Sequence, residues 1–163
     1  MKKYTKEDIE AMKMAIKASA EVLNDDVNNP KGGPFGAVIY KDGKCIASGR
    51  NHVLANNDPS AHAEVYTIRK ACELLGQWDL SGCILYTSCE PCPMCLMTAK
   101  WANIEKIYFA ATRKDADYIG FRDDELYNML KDGCYGIAID ECHDEAVEVM
   151  KKWFDKFRAN GNY

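Results

Sequence analysis

Residues 91–95 read PCPMC and residues 62–64 read HAE, and these two stretches constrain the fold more than any others in the 163-residue chain. A short apolar segment, Cys83 to Thr87, precedes PCPMC, and the segment Cys92 to Ala102 has the composition of a helix. A second apolar segment follows at Lys106 to Ala111. Strand, helix and strand within about thirty residues are typical of a parallel crossover unit. The sequence therefore predicts that PCPMC lies where a strand passes into a helix.

The rest of the chain predicts a mixed sheet with helices on both faces. Asp42-Gly43 is typical of a tight hairpin turn, Gly76 is a natural helix stop, and Thr5 with Asp8 resembles a capping box. The predicted buried face of the first helix is Ile9, Met12, Ile16, Ser19 and Leu23. Helices are predicted at residues 5–23, 60–75, 123–130 and 144–158, strands at 35–40, 44–50 and 136–140, and polar loops at 24–34 and 51–59. We therefore expect one domain over residues 1–163, a three-layer α/β/α sandwich with a mixed central sheet.

Composition and charge narrow the class of protein. A hydrophobic fraction of 47% is enough for a buried core, and a formal net charge of −4 argues against a nucleic-acid partner. No apolar run approaches the roughly 20 residues that a membrane span needs, and the first ten residues, MKKYTKEDIE, are polar. We therefore expect a cytoplasmic protein with no membrane partner, in which the eight cysteines are not a disulfide framework.

Four residues of the two motifs form a pattern typical of a catalytic zinc site. Cys92 and Cys95, three residues apart at the start of a helix, place both sulfurs on one face, and the helix N-terminus favours the thiolates that zinc requires. His62 supplies a third ligand from another helix, which leaves the fourth position of a tetrahedral ion open for water. Glu64, two residues after His62, then lies near the ion without binding it and acts as a general base toward that water.

Two other interpretations use the same cysteines. A structural zinc would take Cys89 as its fourth ligand, stabilise the fold of a non-catalytic module and leave Glu64 without a role. A thioredoxin-like redox pair would use Cys92 and Cys95 alone and leave the HAE motif unexplained. An H-x-E motif followed 30 residues after its histidine by P-C-x-x-C is instead the signature of zinc nucleobase deaminases.

Several longer stretches extend this signature over nearly the whole chain. They are GPFGAV at 33–38, NDP at 57–59, AHAE at 61–64, LYTSCEPCPMCL at 85–96, Trp101-Ala102, the segment 115–127 around Gly120-Phe121, and the final Tyr163. Together they resemble the bacterial guanine deaminases of the cytidine-deaminase-like superfamily. The motifs up to Cys95 are shared in part with tRNA adenosine deaminases and fungal-type cytosine deaminases, and the stretch after Cys95 points to guanine.

The resemblance implies a reaction and a set of site residues. The expected reaction is the zinc-dependent hydrolysis of guanine to xanthine and ammonia, with one Zn2+ per subunit and a bound water as its fourth ligand. The implied zinc ligands are His62, Cys92 and Cys95, the proton shuttle is Glu64, and the substrate contacts are Asn51, Asp115, Phe35, Trp101 and Tyr163. Guanosine, cytosine, an amino-triazine and tRNA adenosine are alternative substrates.

The C-terminal segment carries a separate expectation. Residues 159–163, ANGNY, end in one aromatic side chain, and terminal segments of this composition usually fray. The resemblance implies instead that this segment is a lid over the bound purine, contributed within one chain or by exchange in a homodimer. A second carboxylate from residues 141–148 is a further expectation that the resemblance does not assign to one residue.

Overall fold

The computed structural model describes residues 4–132 and 142–158. The chain divides into two compact units, Met1–Lys131 and Asp132–Tyr163. The predicted strand at 136–140 and the predicted lid at 159–163, with Tyr163, lie outside the described residues. A single deaminase domain over residues 1–163 stays a prediction.

The first unit contains a sheet and the helices that surround it. The strands are β1 (Gly36–Lys41), β2 (Lys44–Arg50), β3 (Cys83–Cys89) and β4 (Lys106–Ala111). The helices are α1 (Lys6–Ala20), α2 (Val53–Asn56), α3 (Ala63–Leu75), α4 (Pro93–Trp101), α5 (Arg113–Tyr118) and α6 (Asp123–Met129), with 3-10 turns at Glu21–Asn24 and Leu130–Asp132. Across the described ranges, 4–132 and 142–158, no helix has the length and apolar character that crossing a membrane requires.

The second unit contributes one described helix. α7 (His143–Trp153) continues into a π-helical turn, Phe154–Arg158, where the sequence predicts a single helix over 144–158. None of the α7 residues is buried, and large apolar side chains on it are exposed, among them Val149 and Met150.

The sheet is mixed, as the sequence predicts. Its strand order is β2-β1-β3-β4, with β1 antiparallel to both β2 and β3. β3 and β4 are parallel and are joined by the crossover through α4. This confirms that PCPMC lies where a parallel strand passes into a helix.

Alternate residues of β1 face opposite layers of helices. Val38 and Tyr40 pack with Ala11 and Ala15 of α1 on one face of the sheet. The core on the other face contains Ala37 and Ile39 of β1 together with α3 and α4 residues, which are Ala63, Ile68, Ala71 and Ala99. The central sheet therefore has helices on both sides, which confirms the predicted three-layer α/β/α sandwich.

The predicted buried face of α1 is wrong at three of its five residues, whereas Met12 packs against the core. The buried residues are Ala11, Ala15 and Ala18, whereas the side chains of Ile9, Ile16 and Leu23 are exposed. The cause lies in the strand beneath, because a Cβ added at Gly36 would lie 2.3 Å from the Ala15 carbonyl oxygen. The backbones of helix and strand are too close for long side chains, so an alanine stripe forms the contact.

Smaller differences concern helix boundaries. The loop predicted at 51–59 contains the short helix α2, and α5 follows β4 where no helix is predicted. The local signals fare better: Thr5 and Asp8 form a complete capping box, and Asp42-Gly43 turns the hairpin with φ of 50° and 74°. Positive φ at both positions is typical of the turns that match strand twist.

Candidate active site

The HAE and PCPMC motifs lie at the starts of two helices. His62 is the N-cap of α3 and Cys92 is the N-cap of α4, and both have the extended backbone of that position. Pro93 occupies the first turn of α4, where a missing N–H and a fixed φ are tolerated. Cys95 follows one turn later on the same face of the helix. Local helix-start signals thus place both cysteines and the histidine at helix N-termini.

The side chains of His62, Cys92 and Cys95 form a group that can hold a metal ion. One ligand atom from each lies within 4.8 Å of the other two. The two Sγ atoms are 3.5 Å apart, and Cys92 Sγ lies 3.6 Å from His62 Nδ1. A tetrahedral zinc with Zn–S bonds of about 2.3 Å separates two sulfurs by about 3.8 Å, so the observed spacing fits this ion. Thiolate and imidazole are also ligands that suit zinc better than magnesium or calcium.

Electrostatic interactions within the group favour a thiolate at Cys92. The hydrogen bond with Cys95 is the largest cause that lowers the pKa of Cys92 to about 4, and His62 lowers it further. In return, the hydrogen bond with Cys92 raises the pKa of His62. The thiolate is the form that binds zinc, and ligands of this kind release protons when a metal binds.

Glu64 lies beside the metal group in a closed environment. Its side chain is only 5% exposed, and its Oε1 accepts a hydrogen bond of 3.0 Å from Thr87 Oγ1 on β3. Its Oε2 accepts from Cys95 Sγ at 3.5 Å. Burial raises the pKa of Glu64, and a carboxyl group with a raised pKa holds and releases a proton more readily near neutral pH. Glu64 is therefore placed to exchange a proton with a group held at the metal position.

The structure contradicts Cys89 as a fourth ligand. Among the described residues, the group that can hold a metal consists of His62, Cys92 and Cys95 alone. Cys89 is buried, its Sγ donates to the Thr112 carbonyl oxygen at 3.4 Å, and burial raises its pKa to about 11. A thiol that is held by a carbonyl group and resists ionisation is a poor zinc ligand. Three protein ligands are the number found in catalytic zinc sites.

A cavity of about 330 Å³ opens onto the metal group. This volume lies within the range found for small-ligand sites. The cavity is lined by Pro30, Gly32, Gly33, Phe35, Asn51, Val53, Leu54, His62, Glu64, Cys89, Glu90, Cys92, Phe121 and Asp123. Apolar walls with a few polar groups beside a metal position are suited to a flat, polar heterocycle.

Comparison with known proteins agrees with this site. The profile described as the cytidine and deoxycytidylate deaminase zinc-binding region matches residues 5–111, which include β1 to β4, the HAE motif and PCPMC. The chain belongs to this deaminase family. The group that could hold the metal ion of such a region is His62, Cys92 and Cys95.

Individual members of the deaminase family are similar to this chain over most of its length. The guanine deaminase of Bacillus subtilis is 53% identical over 115 residues, covering 71% of this chain and 74% of that protein. The tRNA-specific adenosine deaminase of Agrobacterium fabrum is 46% identical over 131 residues, covering 78% and 84%. The X-ray structure of the Bacillus subtilis guanine deaminase superposes with a TM-score of 0.78 at 41% identity, covering 88% of this chain and 93% of that one.

Phe35 and Asn51, two of the predicted substrate contacts, line the cavity. The rings of Phe35 and Phe121 meet edge to face, with their centroids 4.7 Å apart. Asn51 is 4% exposed, and its Oδ1 accepts from the Val53 N–H at 3.1 Å. A Cβ added at Gly32 would lie 2.3 Å from that same oxygen, so the glycine lets the loop lie directly on the amide. Asn51 is thus fixed in place at the cavity wall.

Trp101 is not among the described residues that line the cavity, and its contact with the substrate stays a prediction. Its side chain is 80% exposed at the last residue of α4. An α-helix rises about 1.5 Å per residue, so Trp101 is about 9 Å further along the helix axis than Cys95. That distance takes the indole ring away from the metal end of α4.

Asp115 also lies outside the cavity lining formed by the described residues, and its purine contact stays a prediction. Its Oδ2 accepts from the Thr112 N–H and from Thr112 Oγ1, both at 2.7 Å, and completes the capping box of α5. The hydrogen bond from the Thr112 side chain is the largest cause that lowers the pKa of Asp115. The carboxylate is therefore used to hold a helix start.

Sequence reasoning missed Asp123 as a cavity residue. Asp123 begins α6 and lines the cavity together with Phe121. Burial raises the pKa of Asp123, and the Cys92 charge raises it further. The available signal was its place at the start of a predicted helix, two residues after Phe121. Glu90 is a second missed carboxyl group at the cavity wall.

Proposed function

We propose that this protein hydrolyses guanine to xanthine and ammonia. The observation that carries the proposal is a cavity lined by the buried Glu64 together with His62 and Cys92 of the metal group. The similarity to the guanine deaminase of Bacillus subtilis supports guanine over other nucleobases. Water adds to the carbon that bears the amino group, the bond from this carbon to the amino nitrogen breaks, and ammonia leaves.

The chain's own residues supply the proton transfers. His62, Cys92 and Cys95 would hold a zinc ion, which would supply Lewis-acid activation of water. We assign to Glu64 the transfer of the water proton to the purine ring, followed by delivery of a proton to the departing amine. Thr87 Oγ1 holds Glu64 Oε1 during these steps. The buried position of Glu64 keeps competing water away from the carboxyl group.

We propose that the purine is held by donor and acceptor groups among the cavity-lining residues. Guanine offers N–H donors on one edge and acceptors at O6 and N7 on another. We assign the donor edge to Asp123, in place of Asp115, because a carboxylate accepts two such hydrogen bonds. Asn51 supplies an amide for the acceptor edge, and Phe35 covers a face of the ring.

A tRNA adenosine deaminase is the second candidate. The 46% identity to the Agrobacterium fabrum enzyme favours it, whereas the net charge of −4 disfavours an RNA substrate. One substrate panel separates the candidates: guanine, guanosine, cytosine, an amino-triazine and an anticodon stem-loop, each followed by ammonia release. We expect release from guanine to exceed release from every other substrate, and a preference for the stem-loop would overturn the proposal.

Glu64→Gln tests the proton shuttle. Glutamine has nearly the same shape as glutamate but cannot take a proton, so we expect normal zinc content with the loss of nearly all turnover on guanine. Metal analysis and ammonia release measure the two quantities. Turnover within about tenfold of the wild type would remove Glu64 from this role.

Removal of the metal by a chelator distinguishes a catalytic zinc site from a structural one. Removing zinc from a catalytic site is expected to abolish turnover and to leave most of the circular dichroism signal, because the sheet has its own core. A structural zinc module would unfold on chelation. Loss of the circular dichroism signal together with the metal would favour that alternative.

We further propose that the protein is a homodimer and that residues 159–163 are a lid in which Tyr163 covers the purine. Exposed apolar side chains on α7, such as Met150, support a partner for that helix. Deleting residues 160–163 is expected to preserve zinc content and to lower turnover at least about tenfold, or about 1.4 kcal/mol of barrier. Unchanged kinetics would contradict the lid, and a single 18.4 kDa species in light scattering would contradict the dimer. The cytoplasmic location stays a prediction.

A further inference from the structure

We propose that Arg113 is a positioning residue that fixes α6, and with it Asp123, at the cavity wall. Arg113 lies outside the cavity lining, and its exposed fraction is 34%. The inference rests on the proposed function, because Asp123 matters only if the cavity takes a substrate with N–H donors. Arg113 acts through its neighbours and touches neither the metal group nor the purine.

Arg113 joins two segments through charged contacts. Its backbone N–H donates to Glu90 Oε2 at 3.1 Å, on the loop that leads into PCPMC. Its side-chain Nε lies 3.1 Å from Asp124 Oδ1, in the first turn of α6. The guanidinium carbon lies 4.5 Å from the centroid of the Tyr127 ring, one turn further along α6. One side chain therefore holds α6 at two successive turns.

Tyr127 completes the connection to the loop that leads into PCPMC. Its hydroxyl donates to the Pro91 carbonyl oxygen at 2.7 Å, and Pro91 directly precedes the ligand Cys92. The Glu90 N–H in turn donates to the Ala111 carbonyl oxygen at 2.9 Å, at the end of β4. The start of α5, the loop before Cys92 and α6 are thus tied together, and we call Arg113, Tyr127, Glu90 and Asp124 the α6 clamp.

The α6 clamp matters because α6 is a short helix with little burial in the described part of the chain. α6 has only seven residues, and none of them is buried. Leu126 and Tyr127 are only half-buried, so the polar contacts of the clamp contribute to where the first residue of α6, Asp123, points. Arg113 also offsets the charges of Glu90 and Asp124, two carboxylates that flank the same wall. The clamp leaves the carboxyl group of Asp123 available to the cavity.

A double-mutant cycle between Arg113 and Asp123 tests the positioning role. We expect Arg113→Gln to raise KM for guanine about tenfold while kcat stays within about threefold and zinc content is unchanged. In an Asp123→Ala background, the same substitution should change KM less than about twofold, because the group it positions is gone. Equal effects of Arg113→Gln in both backgrounds would overturn the proposal. A purely structural role predicts that equality.

Two matched variants serve as controls. Arg69→Gln removes another arginine that is paired with an aspartate, Asp58, at 3.2 Å, and we expect it to leave KM unchanged.

Tyr127→Phe removes only the hydroxyl that reaches Pro91 and should raise KM by about threefold or more. Tyr118→Phe is the matched control, because Tyr118 is 90% exposed and this change also removes only a tyrosine hydroxyl. A Tyr127→Phe variant that matches Tyr118→Phe would contradict the clamp.

Amide hydrogen exchange tests the clamp without any substrate. In Arg113→Gln, amides of residues 123–129 should exchange at least about tenfold faster, while those of α3 stay unchanged. Unchanged exchange in α6 would overturn the clamp even if guanine is the substrate. Wild-type protein that releases no ammonia from guanine would overturn the proposed function, and the exchange measurement would still decide the clamp.

Discussion

Replacing Thr87 by valine tests how strongly Glu64 depends on one hydroxyl group. Thr87 Oγ1 donates to Glu64 Oε1 at 3.0 Å, and the two side chains are 0% and 5% exposed. Valine has nearly the same shape as threonine and suits the same strand, so the change removes a donor with little change in packing. The carboxylate then loses a hydrogen bond in a place that little water reaches.

The size of the effect follows from the charge on the acceptor. A hydrogen bond to an ionised group contributes about 1.5–3 kcal/mol. Each 1.36 kcal/mol of barrier is a factor of ten in rate, so complete loss of the bond in the transition state lowers kcat/KM about 10-fold to 150-fold. The metal group should be unaffected, because Thr87 donates its hydrogen bond to Glu64. The bonds within the metal group join His62, Cys92 and Cys95 to one another.

Steady-state kinetics on guanine, with metal analysis of each preparation, measure the prediction. Thr87→Ser is the matched control, because it keeps the hydroxyl and loses a methyl group. We expect the serine variant to stay within about threefold of the wild type and the valine variant to fall well below it. Valine and serine variants with the same kcat/KM would show that the hydroxyl does not position Glu64, and the reasoning would fail.

Three further predictions concern the framework of the site. Gly36→Ala should lower the free energy of unfolding by roughly 1–3 kcal/mol in urea denaturation, because the new Cβ meets the Ala15 carbonyl oxygen. Asp115→Ala should lower the Tm, because it removes the capping box of α5, with KM for guanine unchanged, and a raised KM would support its purine role. The hydrogen bond from Arg50 lowers the pKa of Asp25, so the pair contributes stability above the unfolded pKa of about 3.9 and loses it as pH falls through the folded pKa. The Tm difference between wild type and Asp25→Asn should therefore be present at neutral pH and shrink in acid, and a pH-independent difference would contradict the pairing.

The metal group was predictable because its geometry is local. C-x-x-C at a helix start puts two sulfurs on one face, whatever the rest of the chain does. His62 and Glu64 lie at and just after another helix start, and both signals are readable from a few residues. The alternation of β1 and the turn at Asp42-Gly43 are equally local. These parts of the fold and site follow from short-range rules.

The buried face of α1 was not predictable in the same way. Periodicity identifies the apolar stripe with the largest side chains, which contains Ile9 and Ile16. The structure buries the alanine stripe instead, because Gly36 brings the strand backbone against the helix. A close approach of two backbones depends on residues far apart in sequence, and hydrophobicity alone does not encode it.

Asp115 shows how a local rule bears on a role that the resemblance implies. Thr112 and Asp115 have the same spacing as Thr5 and Asp8, and both pairs form complete capping boxes. The rule that identified the first pair thus predicts a capping role for Asp115. Asp123 has no capping signal of this kind, and its place at the cavity depends on contacts that Arg113 makes with α6. The spacing from Thr112 therefore predicts the capping role of Asp115 from a few residues, whereas Asp123 reaches the cavity only when α6 is held against the loop before Cys92.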